Sequence, residues 1–257
     1  MGVKLTNLAW SIVLLSLVCV DAFAQDETNR LRDSALLALQ DGDLPTAAKM
    51  LEKLGDEGVS QGYTMLGQIK RELGDYPDAA RWFERGAKDG DVTAMLEGGE
   101  IISNPVFGIN DARRAFRLWL AAAERESSRG QYEAGRALMD GYGTRVDVET
   151  GVDFLEKAAK QCHAQAQLDY ALALRKGNGR IANGEEAFAW MIAVERSSES
   201  WVKDDIERIS TLQTEISAYM SSSQIKSAHC LGLGFISEGC GGDGILYQIE
   251  RWLVCEN

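Results

Sequence analysis

Proline, histidine and positive charge are scarce in this sequence. Only three prolines occur in 257 residues, Pro45, Pro77 and Pro105, so little interrupts helices, where an interior proline costs about 3 kcal/mol. Runs of Val, Ile and Thr are rare beyond the first twenty residues, which removes the usual mark of strands. Helix formers fill the remainder, and the chain reads as all-α. Lys and Arg number 27 against 39 Asp and Glu, a net charge of −12. Nucleic acid is held by cationic side chains that displace counterions from phosphates, and no basic stripe offsets the acidic excess. The composition therefore argues against nucleic acid and against an anionic lipid surface, and favours a neutral or basic partner. A hydrophobic content of 45% supports a packed core and argues against disorder.

Long apolar runs are also missing after residue 24, so the expected mature chain has no segment of the roughly 20 residues that span a bilayer. The first 24 residues differ. Lys4 gives a weakly basic start, Leu8 to Val20 is apolar, and Ala22-Phe23-Ala24 supplies a small-x-small cleavage site. This is the pattern of a secretory signal peptide, with Gln25 as the first mature residue. Cys19 follows Val18, where lipid attachment would need a small residue. The mature protein is expected outside the inner membrane, in a bacterial periplasm.

Signatures of chemistry are absent as well. The only two histidines adjoin cysteines, as Cys162-His163 and His229-Cys230. Cysteine and histidine ligate zinc, but the spacing matches no zinc motif, and adjacent residues on a helix point apart. No orienting group or oxyanion donor accompanies a Cys-His nucleophile. The chain contains no nucleophile elbow and no His-Glu-x-x-His. The run Gly239-Cys240-Gly241-Gly242-Asp243-Gly244 lacks the Lys and Ser or Thr of a phosphate loop and reads as a turn. No catalytic residue, metal ligand or cofactor is expected. The competing reading, an enzyme of cell-wall or peptide metabolism on a helical scaffold, would need convergent polar groups that the sequence does not mark.

What the chain does have is a period. Trp82, Trp119, Phe154 and Trp190 recur at intervals of 37, 35 and 36 residues. Gly99, Gly135 and Ala171 recur at 36 and 36, as do Ala94, Gly130 and Ala166. A shorter earlier unit, 32 residues ahead, carries Met50 and Gly62 to Gly67. Each unit reads as a helical hairpin whose small residues let backbones approach and whose aromatic fills the gap to its neighbour. Stacking such hairpins builds one continuous core. Gly90 and Gly177 fall where helix ends want positive φ, and Asp91 and Asp147 where helix starts want an acceptor.

The segment FLEKAAKQCHAQAQLDYALALRKGNG from Phe154, with EEAFAW at Glu185 to Trp190, resembles the Sel1-like repeat, a relative of the tetratricopeptide repeat. WFERGAKDGDVTAMLEGG from Trp82 carries the same pattern. The resemblance covers about residues 42–195. It departs at Gly151-Val152 and at Asn104-Pro105-Val106-Phe107-Gly108. It implies a right-handed α-solenoid of helical hairpins, with a groove for a protein or peptide partner, and an adaptor, not a catalyst. On this frame residues 25–200 form the solenoid and residues 201–257 a C-terminal helical cap with disulfides. Trp201 to Met220 and Ser222 to Leu233 read as helices of that cap. Ile245, Ile249, Trp252 and Leu253 share a further helical face.

Four cysteines remain after signal cleavage, and the residues alone allow three pairings. The resemblance, with the short loop, implies Cys230–Cys240, which leaves Cys162–Cys255, a closed loop of this order being worth roughly 3 kcal/mol in the chain-entropy model. Glu97, Glu133 and Asp169 form another 36-residue column, two positions before the small residues of the first helix of each repeat. The resemblance places that helix along the groove, so these carboxylates are the candidate partner-binding residues, suited to Lys or Arg on a bound segment.

Overall fold

Helix starts in this chain are set by short polar side chains at fixed intervals. Asp75, Asp111, Asp147 and Asn183 each accept a bond from the backbone N–H three residues on, at 3.1–3.3 Å. Each satisfies one of the orphan donors of a helix N-terminus. Asp91, Ser127 and His163 do the same for the alternate helices. Helix ends follow a matching column: Gly90, Glu126 and Cys162 all have positive φ, of 93°, 62° and 66°.

A computed structural model describes residues 27–196, residues 206–237 and Cys255. Among these the chain is helical, with no strand. Residues 27–40 form α1. Then come α2 (Leu44–Asp56), α3 (Gln61–Glu72), α4 (Tyr76–Lys88), α5 (Val92–Ser103), α6 (Ala112–Glu124), α7 (Ser128–Asp140), α8 (Val148–Lys160), α9 (Ala164–Lys176) and α10 (Gly184–Glu195). Two more helices, α11 (Ile206–Ser217) and α12 (Ser222–Ser237), follow. A single 3₁₀ turn, Pro105–Phe107, precedes α6. The chain divides into two units within α5, between Gly98 and Gly99.

In the first unit α2 packs on α3 and α3 on α4. Gly67 of α3 is closed over by Phe83 of α4. A Cβ on Gly67 would lie 2.7 Å from that ring. In the second unit α6 packs on α7, α7 on α8, α8 on α9 and α9 on α10, the consecutive pairing of an α-solenoid. Gly99 lies under the indole of Trp119, and Gly135 meets the backbone oxygen of Gly151. The structure splits the expected aromatic column in two. Phe83, Trp119, Leu155 and Met191 form one buried stripe at 36-residue intervals. Trp82, Phe154 and Trp190 stand one position earlier, on a neighbouring stripe. Aromatic identity does not set helix phase, which is why the expected intervals ran 37, 35 and 36.

The last repeat is covered by α12. Gly232 leaves room for Ala189 O of α10, and Phe235 stacks on Trp190 with centroids 4.0 Å apart. Ile209 of α11 joins Ala164, Leu168 and Val194. Here the cysteine pairing departs from expectation: Cys230 is bonded to Cys255, with Cα atoms 5.6 Å apart. Cys230–Cys240 and Cys162–Cys255 are thereby both overturned. Cys162 is also disulfide-bonded; Cys240, the glycine run and the Ile245–Leu253 face lie outside the described residues. Pairing follows spatial approach. Cys255 is brought against the core under α12, and that proximity overrides the shorter sequence interval.

Candidate functional site

The three carboxylates of the acidic column lie in different settings. Glu97, in the first unit, is ion-paired with Arg71 of α3 and is largely buried, so its charge is met internally. In the preceding repeat the corresponding position is Met65. It lines an apolar cavity of about 350 Å³ with Leu39, Leu44, Ile69 and Leu73. Glu133 and Asp169, in the second unit, line two cavities that meet along α7.

Helix α7 brings these cavities together. Glu133, Arg136 and Asp140 fall at intervals of three and four, which places them on one helical face, and Tyr132 lies one turn before Arg136 at its edge. The first cavity, about 460 Å³, is lined by Glu133, Arg136 and Asp140 with Trp119, Tyr142 and Ser103. The Trp119 and Tyr142 rings are 6.1 Å apart, and the Tyr142 hydroxyl donates to Ser103 O at 3.0 Å. The second, about 380 Å³, is lined by Tyr132, Arg136, Asp140, Asp169, Leu172 and Lys176. Tyr132 stacks on His163 at 4.6 Å, and Arg136 donates to the Tyr132 hydroxyl at 3.4 Å. Cys162 and His163 thus have structural roles. Cys162 takes the left-handed end of α8, and His163 Nδ1 accepts from Ala166 N–H at the start of α9.

Burial raises the Glu133 carboxyl above its ordinary value, with Arg129 and Arg136 pulling the other way. Burial also raises Asp169, opposed by Arg136 and reinforced by Asp140. Tyr132 is raised by burial and by the nearby Asp169. The groove therefore has two carboxylates of perturbed affinity, one guanidinium shared between both cavities, and aromatic walls. Arg136, Asp140, Trp119 and Tyr142 were not singled out as binding residues from sequence. The spacing 133, 136, 140 was the signal that could have found the first two.

A further cavity, about 790 Å³, lies between the α9–α10 loop and the α11–α12 turn. Arg175 and Glu215, both on its wall, are ion-paired at 2.7 Å. No group of three or more His, Cys, Asp or Glu among the described residues is placed to hold a metal ion. No described helix is long and apolar enough to cross a membrane.

The arrangement has relatives of known structure. A protective antigen of uropathogenic Escherichia coli strains, displaying an SLR fold, matches with TM-score 0.63 and 20% identity over 84% of this chain. This chain spans 45% of that protein's length. A Sel1 repeat protein from Oxalobacter formigenes matches with TM-score 0.54 and 19% identity, over 72% of this chain and 77% of that one. No curated protein matches. The Sel1 repeat family model matches residues 51–91, 98–127, 128–161 and 164–193. The last three of these matches begin on α5, α7 and α9, the helices with the small residues, half a unit from the aromatic frame. The family generally mediates protein–protein interaction, typically as a non-enzymatic scaffold. With these four matches covering more than half of its length, the chain belongs to the Sel1 repeat family.

Proposed function

We propose that this protein is a scaffold that holds a protein or peptide partner along α7 and α9, in the periplasm, after removal of residues 1–24. The observation that carries the reading is the pair of adjoining cavities on α7. Their charged and aromatic lining is more polar than a core needs and varied enough to recognise a segment of another chain. Perturbed carboxylates beside a shared guanidinium are the kind of group that discriminates partners by charge. The net charge of −12 favours a partner with basic character. Export rests on the basic start, apolar run and small-x-small site of the first 24 residues.

The test is a crosslinked pull-down from periplasmic extract with the tagged chain from Gln25, beside Glu133→Lys and Asp169→Lys. Glu97 is left intact, because reversing it would set a lysine against Arg71. The expected result is a defined partner captured by the parent and lost with either reversal at unchanged helicity. A partner retained by both variants would remove the groove as the site. N-terminal sequencing of the exported chain should begin at Gln25, and a chain retaining Met1 would refute cleavage.

A further inference from the structure

We propose that the cavity over Trp119 and Tyr142 seats one lysine or arginine side chain of the partner, its stem on the two rings and its cationic head toward Glu133 and Asp140. The inference rests on the scaffold reading and narrows it to one residue type at one place. A volume of about 460 Å³ is ample for a single long side chain. Its aromatic pair is tilted by 33°; the half-buried Tyr142 ring, with the small exposed part of the largely buried Trp119, is suited to an alkyl stem and to a nearby cation. Two carboxylates at an interval of seven residues on α7 supply the opposite charge.

Among the described residues the cavity has one cation on its wall, Arg136, against the two carboxylates, and the native cations nearby also have other attachments. Arg136 donates to the hydroxyl of Tyr132, which lines the neighbouring cavity. Arg129 is paired with Glu100. Glu133 faces Arg129, Arg136 and Glu100, and burial leaves it short of compensation. A guest ammonium or guanidinium would supply what those contacts do not. An acidic guest would meet Glu133 and Asp140 and be repelled, and an uncharged guest would leave two carboxylates against the single guanidinium of Arg136 on the cavity wall.

The experiment is a titration of ¹⁵N-labelled protein, the chain from Gln25, read at the Trp119 indole N–H and assigned with Trp119→Phe. The probes are the N-acetyl methylamides of lysine, arginine, norleucine and glutamate. Lysine and arginine should give saturable shifts at that indole, with norleucine about fivefold to tenfold weaker and glutamate weaker still. Asp140→Asn and Glu133→Gln, each checked for intact helicity, should weaken lysine severalfold without affecting norleucine. Equal binding of lysine and norleucine, or an indole that ignores every probe, overturns the proposal. The two readings fail separately. A captured partner with an unresponsive indole defeats only the lysine seat. Lysine binding without any captured partner defeats the scaffold.

Discussion

Gly99 is a residue whose missing side chain is its contribution. A Cβ there would lie 2.4 Å from Trp119 Nε1, and the indole is too enclosed to withdraw freely. Gly99→Ala should lower stability by about 1–3 kcal/mol, the usual cost of overpacking, in urea unfolding. Glu126 presents the opposite case. It holds φ of 62° in a column where Gly90 has glycine, and a left-handed conformation costs an L-residue about 1–2 kcal/mol. Glycine also loses more chain freedom on folding, by about 0.4–1 kcal/mol. Glu126→Gly should therefore stabilise by about 0.5–1 kcal/mol, and a lower melting temperature would contradict it. Asp169 ties stability to pH. Burial raises its carboxyl in the folded state, so the folded chain binds that proton more tightly than the unfolded one. The resulting penalty is full above the folded value and vanishes below the unfolded value. Through that window this contribution becomes more favourable as pH falls. At lower pH the carboxyls held down in the folded state, Asp78 beside Lys70 and Asp147 at the start of α8, act in the opposite sense. Asp169→Asn should flatten the slope in the upper window. A variant that loses more stability at neutral than at mildly acid pH would sink this account.

At the scale of the element, α12 is held by packing on α10 and by the Cys230–Cys255 link. The bond spans 25 residues of sequence, and closing a loop of that order is worth about 3–4 kcal/mol in the chain-entropy model. Cys255→Ser should lower unfolding free energy by about that amount in oxidised protein and change little once both forms are reduced. The same scale separates what was legible in the sequence from what was not. The hairpins were legible because the caps and small residues repeat: Asp91 and Asp147 cap α5 and α8, and Gly177 ends α9 at φ of 72°. Trp82 and Trp119 were assigned to one column because both are tryptophan, whereas the buried partner of Trp119 in the earlier repeat is Phe83. The cysteine link was hidden because it depends on the path that returns Cys255 to α12, for which the repeat gives no template. Within the groove, Glu133 and Asp169 were visible as a column of like charge. Arg136 and Tyr142 were not, since the column breaks at both: Glu100 and Leu172 flank Arg136 at the same interval.

For the molecule as a whole, a charge of −12 spread over a helical chain opposes compaction by self-repulsion. Added salt shortens the Debye length from about 30 Å at 0.01 M to about 8 Å at 0.15 M. Unfolding free energy measured in urea should therefore rise over that range, and a fall would mean that surface ion pairs such as Lys70–Asp78 at 2.9 Å outweigh the repulsion. The hairpin loops have a practical consequence. Gly143 lies against Ala112 O and Gly179 against Val148 O, so lengthening either loop would pry it from the backbone that supports it. The turn at Pro105–Phe107 is different: Val106 is 83% exposed, and a Cβ on Gly108 would meet nothing within 4 Å. That turn is the natural point for splicing in an epitope or a fluorescent reporter, kept clear of Ser103, which accepts from the Tyr142 hydroxyl, so that occupancy is followed in living cells.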